Sequence, residues 1–564
     1  MSLKALSSSC LSLMSILTKH ASSQDVPFSP CPLLGPRFPI PTNLSESPIF
    51  QSGLEHLTQV FDDYVTNLNG TFGPISTTTS FSITLFSTEE ENSTQPSLYE
   101  YHHSAPSVEN GTLSTTEANA SSVYQIGDLT TLFTTWLFLI EGGEQHWIDP
   151  VSKWVPELLS AAQNRGSSFA VDWDAVTLGD LAAHLGGIGW YAPSEKSSQV
   201  ASMLGDLVLK NSTRVTLCDS SEGTCDRAEF LTHFGGRDAV FAPGSTPIFS
   251  NAAFIILAHA LETITGLSYA ALLDRSILRP LNLKQTTYLP STVEGPFNGL
   301  ASTPHDLTIA LKNLLRSTLL PQSTTRRWLK PASHSSNLVN TVGRPWEIYS
   351  LAATPISPVI PVYQVRGSKS VYASHIGLVP DYGAGFVILA SDTSAGSPDL
   401  NAYADILASE IVPVLEQIAI MQASEAFAGT YTSISPTNMT LVVAQAKDGS
   451  PGLSVPRFQS GEMDVRAVYA ALNGVAPESL SFRLYPSDVG SRAQGQVFRG
   501  VFQDISALTD TGTPTCETWR DVNRLQVGGF GLDEFVFEME GGEAVGLVIP
   551  AFGAGRLKKE EKDT

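Results

Sequence analysis

Apolar residues in LEHLTQVFDDYV, at 54–65, recur at three- and four-residue spacing and predict an amphipathic helix. SFSITLFST, at 80–88, alternates and predicts a strand, and the Ser/Thr/Asn-rich run over 90–122 predicts a long loop. Residues 130–140 are almost continuously apolar, the pattern of a buried helix. Prolines break HWIDPVSKWVPEL into turns, and TLGDLAAHLGGIGW predicts a short helix stopped by glycines. In FAPGSTPIFSNAAFIILAHALETITG a Pro-Gly turn precedes a long helix that Ser250 or Asn251 would cap. LSYAALLDRSILRPLNL predicts a helix ending by Pro280, and STPHDLTIALKNLLRS a helix capped by Ser302 or Thr303.

Strands are predicted at 359–367, 371–379 and 384–390, then a helix over 402–422. The last 140 or so residues change character: AGTYTS, MTLVVAQ, LSVPRF, SFRLYP, QVFRG, EFVFEME and AVGLVIP are short strands between turns. The predicted fold class is α/β in the α+β sense. A helical block is inserted between an N-terminal strand and a later group of antiparallel strands, and an all-β domain follows. The expected domains are a main domain over 24–423, a β domain over 424–555 and a frayed charged tail over 556–564.

Composition sets outer bounds. The 564 residues are 42% hydrophobic and 16% charged, ordinary for a globular chain. A net charge of -22 argues against a nucleic-acid partner, because little lysine or arginine is available to neutralise phosphates. No apolar run is long enough to span a membrane. Residues 1–23 read as a signal peptide. Sequons at Asn43, Asn69, Asn92, Asn110, Asn119, Asn211 and Asn438 agree with a secretory route. A cytoplasmic chain with reduced cysteines is the alternative. Without Cys10, four cysteines remain: Cys31, Cys218, Cys225 and Cys516. Cys218 and Cys225 bracket DSSEGT and are expected to close a local disulfide loop. No His/Asp/Glu cluster has metal-ligand spacing and no motif indicates a nucleotide or flavin, so no metal or cofactor is expected. The expected partner is a small molecule; the sequence leaves the oligomeric state open.

Candidate chemistry begins at YQIGDLTTLF, where Asp128 and Thr131 lie three residues apart on one face of a first helical turn. Stretches in order along 50–415 (YQIG, DPVSKWVPEL, TLGDLAAHLGGI, PGSTPIFSNAAF, ILRPLNLKQTT, GLASTPHDL, PWEIY and VPDYGAGFVILA) resemble the serine β-lactamase and penicillin-binding-protein-like family. The likeness is greatest to secreted fungal members with a C-terminal β domain.

The resemblance implies three motifs. A Ser-x-x-Lys pair supplies nucleophile and base, a Tyr-x-Asn segment shares proton transfer, and a Lys-Ser/Thr-Gly strand binds substrate. The positions that match read Asp128-Leu129-Thr130-Thr131, Phe249-Ser250-Asn251 and Val365-Arg366-Gly367. Ordinary serine-hydrolase chemistry is therefore not expected. An aspartate on a first turn can be a simple cap, but by the family's geometry this one faces a cleft, where a lone carboxylate needs a partner. Arg366 is the expected one, as an Asp128–Arg366 ion pair across the former active site.

Two functions follow. In one, Asp128, Arg366, Asn251 and Thr131 form a retooled site for isomerisation, cyclisation, dehydration or atypical hydrolysis of a small metabolite. In the other, the pair seals a dead cleft and the chain is a pseudoenzyme or binding protein. Phe249, Gly367, Tyr372 and His375 are candidate binding residues, with at most one of Tyr372 and His375 facing the cleft. His184 reads as structural, and Lys369 as misplaced for a role on the 130–140 helix.

Overall fold

The computed structural model describes residues 30–561, apart from 91–94, 106–116, 192–202, 204–225, 290–292, 352–358, 394–395, 435–436, 447–449, 490–494, 508–515 and 554. The signal peptide, the Cys218–Cys225 loop, and the sequons at Asn92, Asn110 and Asn211 lie outside the described residues. The chain divides into two compact units, one of residues 40–351 with 360–419, the other of residues 1–39, 352–359 and 420–564.

In the larger unit an eight-stranded antiparallel sheet runs Tyr99–His103, Ser80–Ser87, Ala384–Ser391, Tyr372–Val379, Ile360–Lys369, Glu347–Leu351, Asn340–Val342, Ser333–His334. Alternation along Ser80–Ser87 is not apolar-in, polar-out, for both faces are covered. Phe81 packs on Phe61 of the Pro48–Asn67 helix and on Tyr403 of the Asn401–Phe427 helix, the latter at 4.8 Å between ring centroids. On the other face Ser82 bonds the Tyr124 hydroxyl at 3.1 Å, and Thr84 the Thr308 hydroxyl at 2.7 Å. Each buried hydroxyl thus has a partner, which offsets its desolvation.

That second face carries the helical block, whose centre is Thr130–Glu141 and Asn251–Thr265. Both helices are buried nearly all round, as their apolar composition requires. Thr303 caps the Pro304–Leu315 helix by accepting the Asp306 N–H. Ser250 precedes the Asn251–Thr265 helix without capping it, because its hydroxyl donates to the Gly189 carbonyl. The expected 90–122 loop is not wholly a loop: Tyr99–His103 pairs with Ser80–Ser87 as an edge strand.

The smaller unit is a β barrel in which Met439–Gln445 pairs with Leu453–Ser460 and closes the ring. The expected charged tail is corrected here. Arg556–Lys559 is a barrel strand pairing with Glu543–Val548 and Gly429–Ser433, with Leu557 fully buried between its charged neighbours. Cys31 forms a disulfide with Cys516, fastening residue 31 to the barrel sequence 485 positions away.

Candidate functional site

Asp128 sits in a tight turn, Gly127–Leu129, that leads into the Thr130–Glu141 helix. The turn presses against strand Ile360–Lys369, and two glycines permit the approach. A Cβ on Gly127, whose φ is +53°, would collide with the Ser368 carbonyl oxygen. One on Gly367 would collide with the Ile126 carbonyl oxygen. Ser374 completes the joint, donating to the Ile126 carbonyl at 2.7 Å.

Beside this joint opens a cleft of about 490 Å³, whose lining includes Asp128, Thr131, His184, Trp190, Phe249, Arg366, Gly367 and His375. Pairing with Glu347–Leu351 ends at Glu347↔Gln364, so on that side the strand beyond Gln364 is a free edge, and the cleft runs along it. Asp128 is half-buried, and its carboxyl is pushed up to about 7. Desolvation is the main cause; Glu294 and Glu347 push the same way, while Lys369 and the Asp128 backbone oppose them. Lys369 donates to the Asn298 carbonyl at 3.0 Å, and its own pKa is lowered by burial.

The expected Asp128–Arg366 pair is not formed. The Arg366 guanidinium bonds the Glu347 carboxylate through Nε at 3.0 Å and through Nη2, and reaches Asn401 Oδ1 at 3.3 Å. The reason is the period of a strand. Val365 and Gly367 point toward the Asp128 turn, so Arg366 between them points to the other face. Its side chain is 51% exposed, and the cation that acts on Asp128 is Lys369, a residue read from the sequence as misplaced for a role here.

Asn251 is also corrected. Its Oδ1 accepts the Tyr191 N–H at 2.7 Å; the side chain is buried, holds a loop and is not among the residues lining the cleft. Tyr372 packs edge-on against Tyr124 at 6.2 Å, whereas His375 lines the cleft from the Arg366 side. His375 bonds Gln364 at 2.6 Å and burial pushes its imidazole down to about 3, so it is neutral. Thr131 lines the cleft one turn beyond Asp128, and Phe249 lines it too. His184 stacks on Phe249 at 5.3 Å and its Nε2 lies 3.2 Å from the Pro345 carbonyl. Trp190, at the end of GGIGW, was not singled out from the sequence; it lines the cleft and is exposed.

Among the described residues no group of three or more His, Cys, Asp or Glu is placed to hold a metal ion. No single helix among them is long and apolar enough to cross a membrane.

This sheet with its inserted helices and cleft is the framework of one enzyme family, and the chain belongs to it: the β-lactamase family matches residues 101–410. A second match, described as "Beta-lactamase-like-like, C-terminal domain", covers 419–560. A "Beta-lactamase-like protein" of Arthroderma benhamiae is 28% identical, over 94% of this chain and 96% of its own length. A "Probable hydrolase clz13" of Cochliobolus lunatus is 22% identical over 83% of this chain and 80% of its own. Among solved structures, "A class C beta-lactamase" covers 65% of this chain at 15% identity with a TM-score of 0.43.

Proposed function

We propose that this β-lactamase-family protein is a proton-transfer enzyme for a small metabolite, with Asp128 as the acid–base group. The observation that carries the reading is the half-buried Asp128 carboxyl, poised at about 7 on the wall of an open cleft. A group whose pKa matches neutral pH both takes and returns a proton efficiently. Isomerisation, cyclisation and dehydration share one step suited to it, removal of a proton α to a carbonyl. In a dehydration, Asp128 would take the α proton to leave an enolate, then give that proton to the β-hydroxyl as the C–O bond breaks, the carbon–carbon double bond forms and water leaves.

The test is dehydration of the aldol of benzaldehyde and acetone, followed by the ultraviolet absorbance of the conjugated enone. Wild type should exceed the Asp128→Asn variant by about 10²–10⁴-fold. Equal rates in the two would sink the assignment. A second reading, a ligand-binding protein without turnover, draws on one observation: Asn251 and Arg366 are both engaged in internal contacts. A secretory location is supported by the Cys31–Cys516 disulfide and by the exposure of Asn69, Asn119 and Asn438. A glycosidase-induced mobility shift of the secreted protein would test it.

A further inference from the structure

Part of the cleft lining is aromatic, with Trp190, Phe249 and His184 among the lining residues. Trp190 is 48% exposed although it lies among rings: Phe249 at 5.1 Å and Phe297 at 6.4 Å between centroids. Its backbone is fixed. Arg237 donates through Nη1 to the Trp190 carbonyl at 2.5 Å and through Nη2 to the Tyr191 carbonyl at 2.9 Å, while Asn251 holds the Tyr191 N–H. The backbone is anchored by these bonds and the ring by Phe249 and Phe297, while nearly half the residue's surface stays exposed. His184, stacked on Phe249, extends the same wall as a neutral ring, since burial lowers its pKa.

Charge around the cleft is one-sided. Among the described residues three carboxylates line it, Asp128, Glu347 and Asp399, against one cation, Arg366, with Lys369 acting on Asp128 from beside it. Arg366 is already bound to Glu347 and Lys369 to the Asn298 carbonyl. Arg366 and Glu347 offset each other, Asp128 and Asp399 then outnumber Lys369, and burial disfavours the charged form of both cleft histidines. An anion entering here meets net repulsion, whereas a ring that is neutral or cationic gains stacking and, over Trp190, attraction to the indole face.

We infer that the cleft binds neutral or cationic aromatic small molecules and discriminates against anionic ones, with the Trp190 indole as the platform for the ring. The inference deepens the reading above and rests on the same cleft, but not on Asp128 chemistry. About 490 Å³ falls within the size range of small-molecule sites and accommodates a two-ring compound.

The experiment is isothermal titration of the full chain at pH 8 with three probes of one shape: 2-naphthylethylamine, 2-naphthylethanol and 2-naphthylacetate. The amine and the alcohol should each bind at least about tenfold more tightly than the acid. Trp190→Ala should weaken the alcohol about tenfold and Trp190→Phe should restore most of that loss, which separates a lost ring from a damaged fold. Asp128→Asn should leave the alcohol's affinity within about threefold. If that variant abolishes turnover but not ring binding, the two readings stand apart. Ring binding without any turnover in wild type would refute only the chemistry. Acid binding as tight as alcohol binding, an unaffected Trp190→Ala variant, or no binding of any probe at millimolar concentration would overturn the inference.

Discussion

Asp128→Asn should stabilise the protein at neutral and alkaline pH and leave it unchanged in acid. The carboxyl is raised from 3.8 to about 7 in the folded chain, chiefly by desolvation. When the folded pKa of an acid is raised, the unfolded chain releases the proton first. Stability is then unaffected below about pH 3.8, falls as pH rises through the interval, and is lowest above about pH 7. At about 1.36 kcal/mol per pH unit the full penalty is roughly 4 kcal/mol. Asparagine keeps the shape and cannot ionise, so the variant escapes it. The unit holding Asp128 has roughly 370 residues, with an unfolding entropy of roughly 0.8 kcal/mol/K, so the gain in Tm should be about 5 °C. The assay is a series of thermal melts of both proteins from pH 4.5 to 8.5. The difference in Tm should be small at the acid end, bend near pH 7 and level off above it. Parallel curves, with one constant difference, would refute the desolvated carboxylate and with it the acid–base reading.

Three more outcomes are expected. Lys369→Met removes the cation that lowers the Asp128 pKa and should move the bend up, whereas Glu294→Gln should move it down. Melts of these variants, each made in wild type and again together with Asp128→Asn, measure the shift. Gly367→Ala drives a Cβ into two backbone atoms, the Ile126 oxygen and the Leu129 nitrogen, and should cost about 3 kcal/mol by denaturant unfolding. Cys31→Ser opens the link to Cys516 and should destabilise the β barrel by about 3–5 kcal/mol, seen as a lower Tm that reductant no longer changes.

Much of the scaffold was legible because local pattern and tertiary packing agree there. The amphipathic spacing of Leu54, Leu57 and Phe61 predicts the helix that buries those residues, and Thr303 was one of two expected caps. The 402–422 helix extends to Asn401–Phe427. The misses have physical causes. Tyr99–His103 has too few residues and too polar a surround to stand out as a strand, and forms because Ser80–Ser87 offers an edge to pair with. Leu557 draws a run of lysines into the barrel wall.

At the site the division is finer. The family resemblance singled out Asp128, Thr131, Phe249, Arg366, Gly367 and His375, and these residues line one cleft. Only the tertiary structure decided which charges meet. The pleat turns Arg366 away to Glu347, the backbone joint at Gly127 and Ser368 brings Lys369 toward Asp128, and a loop claims Asn251. Facing and distance across the fold are set by register and packing between distant segments, and a one-residue alternation in a strand is enough to reverse which partner a charge finds.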